Sequence, residues 1–227
     1  MVLNFDSLGE KTLNKIAEMA LSSRMEKADR LTVRVKTDPN LLAQGMLESL
    51  AIDGRGLVMN PSLQMQEMRI DLDTIAVSPF KALMGNIQLT RPSQGTIYVV
   101  LNEADIETAY RSSSLPRKRI EGVTCHVRSN GQISVRLQVR SLPSGDRETL
   151  DFIVTPKMSG ETVTADITGL EEIPSEFAGE IVNRTREIFH LKNFEIDGIS
   201  LSIERVGIEE GKVTLQGRAG ITRFPTR

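Results

Sequence analysis

The amino-acid sequence predicts an α+β fold built on a long, curved antiparallel sheet with two amphipathic helices, and three observations carry that reading. Apolar residues recur at every second position: Leu31, Val33 and Val35 interleave with Thr32, Arg34 and Lys36, and Ile133, Val135, Leu137 and Val139 with Ser134, Arg136, Gln138 and Arg140. A period of two puts each apolar set on one face of a strand. Turn residues such as Asn130-Gly131 then join successive segments as hairpins. Two other segments change to the three- and four-residue spacing of a helix.

The first helix carries Leu13, Ile16, Ala17, Ala20 and Leu21 on one stripe and Glu10, Lys11, Lys15 and Glu18 elsewhere; Ser7 with Glu10 reads as its capping box. A strand from Leu31 follows and ends at Asp38-Pro39. Asp as N-cap, Pro in the first turn and Gly45 beyond predict a short helix over residues 40–44. Ser78-Pro79 repeats the design, with a second short helix over 80–84 stopped by Gly85. Between them lie extended segments over about 46–59 and 64–77, joined near Asn60-Pro61. In the second, Met68, Ile70 and Leu72 alternate, then the phase slips to Ile75 and Val77, which implies a bulge or sharp bend. Gly54 and Gly56 permit curvature in the partner strand.

Residues 95–101 form a further strand, after which Asn102 caps a short helix through Glu103, Asp105 and Glu107. The Asn130-Gly131 hairpin comes next, with a two-residue turn expected, then a hairpin of Leu150, Phe152 and Val154 against Val163, Ala165 and Ile167 across residues 156–160. A longer helix from Pro174-Ser175 places Ala178, Ile181, Val182, Thr185, Ile188 and Phe189 on one side. A last hairpin turns at Glu209–Lys212. No low-complexity run divides the 227 residues, so a single domain over 1–227 is expected. Ile-Asp-Gly recurs at residues 52–54 and 196–198, a weak trace of duplication between halves 1–112 and 113–227.

The chain has 28 Lys and Arg against 30 Asp and Glu, so its net charge of −2 provides no field to concentrate nucleic acid. No stretch reaches the length of about 18 apolar residues that crosses a bilayer, and the N-terminus shows no secretory pattern. The cytoplasm is the default compartment, with peripheral contact at a membrane open. Cys125 sits among alternating strand residues and reads as a small buried hydrophobe.

Chemistry is sparse. His126 and His190 are the only histidines, and no Cys/His cluster has metal-ligand spacing. Gly54-Arg-Gly56 lacks the third glycine and the strand-to-helix setting of a dinucleotide fingerprint, and no nucleophile elbow or phosphate loop is present. Asp71, Asp73, Glu171 and Glu172 read as a solvated face. No cofactor, metal or catalytic residue is therefore expected. The nine methionines suit either an adaptable apolar cavity or an irregular core. Arg117, Lys118 and Arg119 are adjacent cations able to meet anionic headgroups, each worth about 1 kcal/mol near a charged membrane.

Two blocks, Leu31-Thr-Val-Arg-Val-Lys-Thr-Asp-Pro-Asn-Leu-Leu-Ala-Gln-Gly-Met-Leu-Glu-Ser-Leu-Ala-Ile-Asp-Gly54 and Ser78-Pro-Phe-Lys-Ala-Leu-Met-Gly-Asn-Ile-Gln-Leu89, resemble the LmeA family of bacterial phospholipid-binding proteins, most closely its cyanobacterial members. The resemblance covers mainly residues 8–110 and includes no catalytic signature. It implies a tubular lipid-binding fold, a curved antiparallel sheet wrapped round helices with an apolar channel for acyl chains. The expected activity is non-enzymatic binding, sensing or transfer of phospholipid. The expected lipid contacts are Ile16, Ala20, Val33, Val35, Met68, Ile70, Leu72, Ile181, Ile188 and Phe189, with Arg117, Lys118 and Arg119 at the headgroup or membrane. The alternative is a protein–protein interaction module whose core is filled; no particular protein partner is indicated. A hydrolase with an unfamiliar site is a third reading, for which no nucleophile, base and oxyanion set is evident.

Overall fold

Strands with one apolar and one polar side must cover the first and can leave the second to water, and antiparallel sheets meet that requirement. A computed structural model describes residues 5–23, 25–60, 63–78, 89–112, 115, 118–142, 144–160, 162–173, 175–189 and 198–222. The first part of the chain forms α1 (Phe5–Ser22), β1 (Lys27–Lys36), α2 (Pro39–Ala43), β2 (Met46–Leu47), β3 (Ser49–Asn60), β4 (Leu63–Leu72), β5 (Ile75–Ala76), β6 (Ser93–Asn102) and α3 (Glu103–Arg111). It continues through β7 (Lys118–Val127), β8 (Ile133–Ser141), β9 (Arg147–Ser159), β10 (Thr162–Thr168), a 3-10 turn at Leu170–Glu172, α4 (Ser175–Phe189), β11 (Ile199–Glu209) and β12 (Lys212–Ile221).

The strands form two main antiparallel sheets rather than the one large sheet that the alternation implied. Six strands lie in the order β1-β3-β4-β6-β12-β11 and four in the order β10-β9-β8-β7, while β2 and β5 make a separate ribbon. Sequence alternation fixes faces but not partners, so it could not divide the strands between sheets. The last hairpin joins the first half of the chain: β12 pairs with β6 and β11 with β12, so residues from both ends build the six-stranded sheet. One hydrophobic cluster runs through both sheets and the helices, from Val33 and Ile70 to Leu137, Phe152 and Ile181.

Several local expectations need correction. α1 begins at Phe5, so Ser7 lies within it and cannot be its cap. The phase slip after Leu72 is not a bulge within one strand: β4 ends there, Asp73 N–H still donates to the Gln94 carbonyl, and after Thr74 the chain resumes as β5, which pairs with β2. The Asn130-Gly131 turn is longer than two residues. Gly131 donates to the carbonyl of Arg128, Arg128 donates to Gln132, and Gly131 takes a φ of 89°, the glycine position of a three-residue hairpin loop. Residues 79–88, with the second short helix, lie outside the described residues.

Other elements form where their caps placed them. Asp38 accepts from the backbone N–H groups of Asn40 and Leu41 at the start of α2. Asn102 and Asp105 exchange side chain-to-backbone bonds at the start of α3, a reciprocal capping box.

Helices α1 and α3 also finish the outer edges of the two sheets. Glu10, Asn14 and Glu18 on α1 accept from the N–H groups of Thr37, Val35 and Val33, at 3.0, 2.6 and 3.0 Å. Glu103 and Glu107 on α3 accept from Val127 and Cys125 at 2.8 and 3.0 Å. The spacing matches because four helical residues rise about 6 Å and two strand residues about 6.7 Å. Each helix thus supplies acceptors to a strand that would otherwise present unpaired donors.

Candidate functional site

The six-stranded sheet carries a continuous apolar face whose rows follow from its register. Val33 is opposite Ile52, Ile52 opposite Ile70, Ile70 opposite Ile97, Ile97 opposite Gly217, and Gly217 opposite Ile203. A neighbouring row runs Val35, Leu50, Leu72, Gly95, Ala219 and Leu201. A third places Gly54 beside Met68 and Met68 beside Val99. The structure therefore brings Val33, Val35, Met68, Ile70 and Leu72 onto one face, each at most 4% exposed.

Glycines interrupt the bulky positions of this face. A Cβ at Gly95 would lie 1.9 Å from the carbonyl oxygen of Asp71, and one at Gly217 would lie 1.9 Å from that of Ser202. Both contacts are with neighbouring backbone, so no side chain fits at either place. Gly56 takes a φ of 55°, while a Cβ at Gly54 would press on the Leu57 side chain at 2.6 Å.

Ile181, Ile188 and Phe189 are buried on α4, which packs against β10 and α3. They join the strand residues through the common hydrophobic cluster. The side chains of Ile16 and Ala20 lie outside the described residues, as does Arg117. Lys118 begins β7 opposite Ser141, and exposed Arg119 is opposite Arg140; the side chain of Lys118 is not among those described.

Polar chemistry in the interior holds elements together. The Tyr110 hydroxyl and the Thr185 hydroxyl are 2.7 Å apart, Thr185 donates to the carbonyl of Ile181, and the Tyr110 ring meets Phe152 edge-on at 5.7 Å. Arg184 donates to the carbonyl of Ala109 and to the Ser112 hydroxyl, tying α4 to the end of α3. Burial raises the pKa of the Tyr110 phenol and of the Cys125 thiol, which keeps both neutral and unreactive. Asp105 is raised by burial, against the opposing effect of the N–H groups of Asn102 and Gln66. Among the described residues no group of three or more His, Cys, Asp or Glu is placed to hold a metal ion.

A separate groove of about 680 Å³ crosses the polar face of the four-stranded sheet, past Thr124, His126, Ser134, Arg136, Asp151 and Thr168. None of the residues nominated for lipid contact lines it. Sequence reading passed over this face because its cations come from three strands and are adjacent only after pairing. It also passed over Ile52, Ile97 and Val99, which share the apolar rows and were signalled by the same alternation, and Gly95 and Gly217, whose close contacts no local pattern records.

The fold is predominantly antiparallel sheet with few helices, an α+β arrangement. The chain matches the LmeA-like phospholipid-binding family over residues 5–218 and belongs to it. No curated protein and no solved structure matches it.

Proposed function

We propose that this protein binds a phospholipid without catalysing a reaction on it and carries or senses it at membrane surfaces, with the chain 1–227 acting as one lipid-binding domain. In this reading the sheet wraps round α1 and α4 in a tubular arrangement, and acyl chains enter an apolar channel. Their contacts are Val33, Val35, Met68, Ile70 and Leu72 on the sheet, Ile16 and Ala20 on α1, and Ile181, Ile188 and Phe189 on α4. Arg117, Lys118 and Arg119 meet the headgroup or the membrane.

The carrying observation is the unbroken apolar face with glycine in its rows, in a chain of a phospholipid-binding family. Each CH₂ moved from water to such a surface is worth about 0.8 kcal/mol, so part of one acyl chain suffices to drive binding without a polar motif. Native mass spectrometry of gently purified protein should reveal a bound phospholipid. A phospholipid with a diazirine in its acyl chain should crosslink to β4 or α4. Protein that holds no extractable phospholipid, takes none from vesicles and crosslinks nowhere on this face would overturn the reading.

A second reading rests on the burial of the same residues: Ile70 and Ile181 are each 2% exposed, covered by the chain's own side chains as in a filled core. It makes the protein an interaction module, and a stoichiometric protein partner in the same mass spectra, with no lipid, is the result that favours it.

A further inference from the structure

On the polar face of the four-stranded sheet, Arg119 of β7 is directly opposite Arg140 of β8, and Arg140 is directly opposite Arg147 of β9. Like charges facing each other across strands destabilise a sheet, so a row of three arginines opposes folding unless anions neutralise it. Among the described residues Glu121 approaches Arg140 at 3.5 Å and Arg147 at 3.1 Å. Further along the face, Arg136 is held by Asp151 at 2.8 Å, and Arg128 and His126 stand exposed beside the groove. Lys157 pairs with Asp166 at the far side.

Among the described residues, then, Arg119, Arg128, Arg136, Arg140, Arg147 and Lys157 share this face with Glu121, Asp151 and Asp166, and Glu103 lies 3.9 Å from His126, in a chain whose net charge is −2. On the polar face of the six-stranded sheet Arg30 of β1 is opposite Arg55 of β3, a pair rather than a row of three. Arg34 and Arg69 share Asp53, and Arg218 pairs with Glu204 at 2.7 Å.

The geometry points to the arginine face of the four-stranded sheet as the surface by which the protein docks on an anionic phospholipid bilayer. This rests on the phospholipid-binding reading, which supplies the reason for visiting a membrane. It adds a different surface from the apolar interior. The row is exposed and runs across three neighbouring strands, and in the sequence Arg119 directly follows Arg117 and Lys118. A bilayer with anionic headgroups presents many phosphates to such a plane at once, and its attraction for each cation decays within a Debye length.

The test uses the full chain and two vesicle preparations, phosphatidylcholine alone and phosphatidylcholine with about one-third phosphatidylglycerol. Co-sedimentation should be strong with the second, weak with the first and suppressed by salt. The triple variant Arg119→Gln, Arg140→Gln, Arg147→Gln should bind the anionic vesicles roughly 100-fold more weakly, from about fivefold per cation. It should keep its circular dichroism spectrum, and the double variant Arg140→Gln, Arg147→Gln should in addition keep any lipid seen by native mass spectrometry. A matched variant, Arg34→Gln, Arg69→Gln, Arg218→Gln, removes the same charge from the other sheet and should bind within about threefold of the parent. Equal loss in both variants assigns binding to net charge and overturns the proposal. Equal binding to both vesicles, or to neither, does the same. Because bound lipid is read separately, a protein that carries phospholipid yet ignores anionic vesicles refutes the docking face and leaves the lipid-binding reading intact.

Discussion

Asp105 is the residue where burial and hydrogen bonding compete most directly. The residue is 9% exposed and its carboxylate accepts from Asn102 N–H at 2.9 Å and Gln66 N–H at 3.0 Å, so it serves α3 and β4 together. Removing it leaves two donors without their acceptor, and Asp105→Ala should lower the unfolding free energy by about 2–3 kcal/mol in urea denaturation. Asp105→Asn keeps one acceptor oxygen and should cost less than about half of that. Because burial raises its folded pKa above the unfolded value, the folded state holds the proton more tightly. Stability from this group therefore rises as pH falls from the raised value towards the ordinary carboxylate range, and it is lost as pH rises. The Asn variant should lack that slope. Tyr110→Phe, which removes the buried bond to Thr185, should cost about 1 kcal/mol without altering the far-ultraviolet spectrum.

At the scale of elements, α1 stabilises β1 through hydrogen bonds as well as packing. Replacing Asn14 and Glu18 by Leu should uncover the N–H groups of Val35 and Val33, lower stability by about 1–3 kcal/mol and increase light scattering on heating, as a donor edge becomes available to other chains. Gly95→Ala should be severe, because the added carbon meets backbone rather than a movable side chain; a loss of about 2–3 kcal/mol by thermal denaturation is expected, and Gly217→Ala should behave alike. The alternation of Val33, Val35 and Ile133–Val139 was legible in sequence because a strand's faces are determined locally. The caps at Asp38 and Asn102 were legible for the same reason. Glu10 and Glu18 were not: at helical spacing they resemble any solvated face, and only the position of β1 makes them acceptors. The glycine contacts and the arginine row were hidden likewise, since both depend on strands distant in sequence.

For the whole molecule, the partition into two sheets is the main feature that local patterning could not express. β12 inserts beside β6 more than a hundred residues after it, and long-range pairing of this kind is dictated by which apolar faces remain to be covered. Such topology predicts slow folding, because distant segments must meet before their contacts reward the closure. The placing of Val33 and Ile70 on strands and of Ile181 and Phe189 on a helix was legible in sequence, whereas which of these elements would pack together was not, because a hydrophobic pattern reports burial without reporting the neighbour.

The two sheets touch where β11 packs on β9 and β10, yet among the described residues no ladder joins them. At one end they are fastened by the backbone, Gly211 N–H to the Val127 carbonyl at 2.9 Å, with Ser129 N–H held by the Glu210 carboxylate at 3.0 Å. Helix α3 rivets them a second time, Asp105 to Gln66 of β4 on one side and Glu103 and Glu107 to β7 on the other, so prising the layers apart means breaking polar bonds at both places.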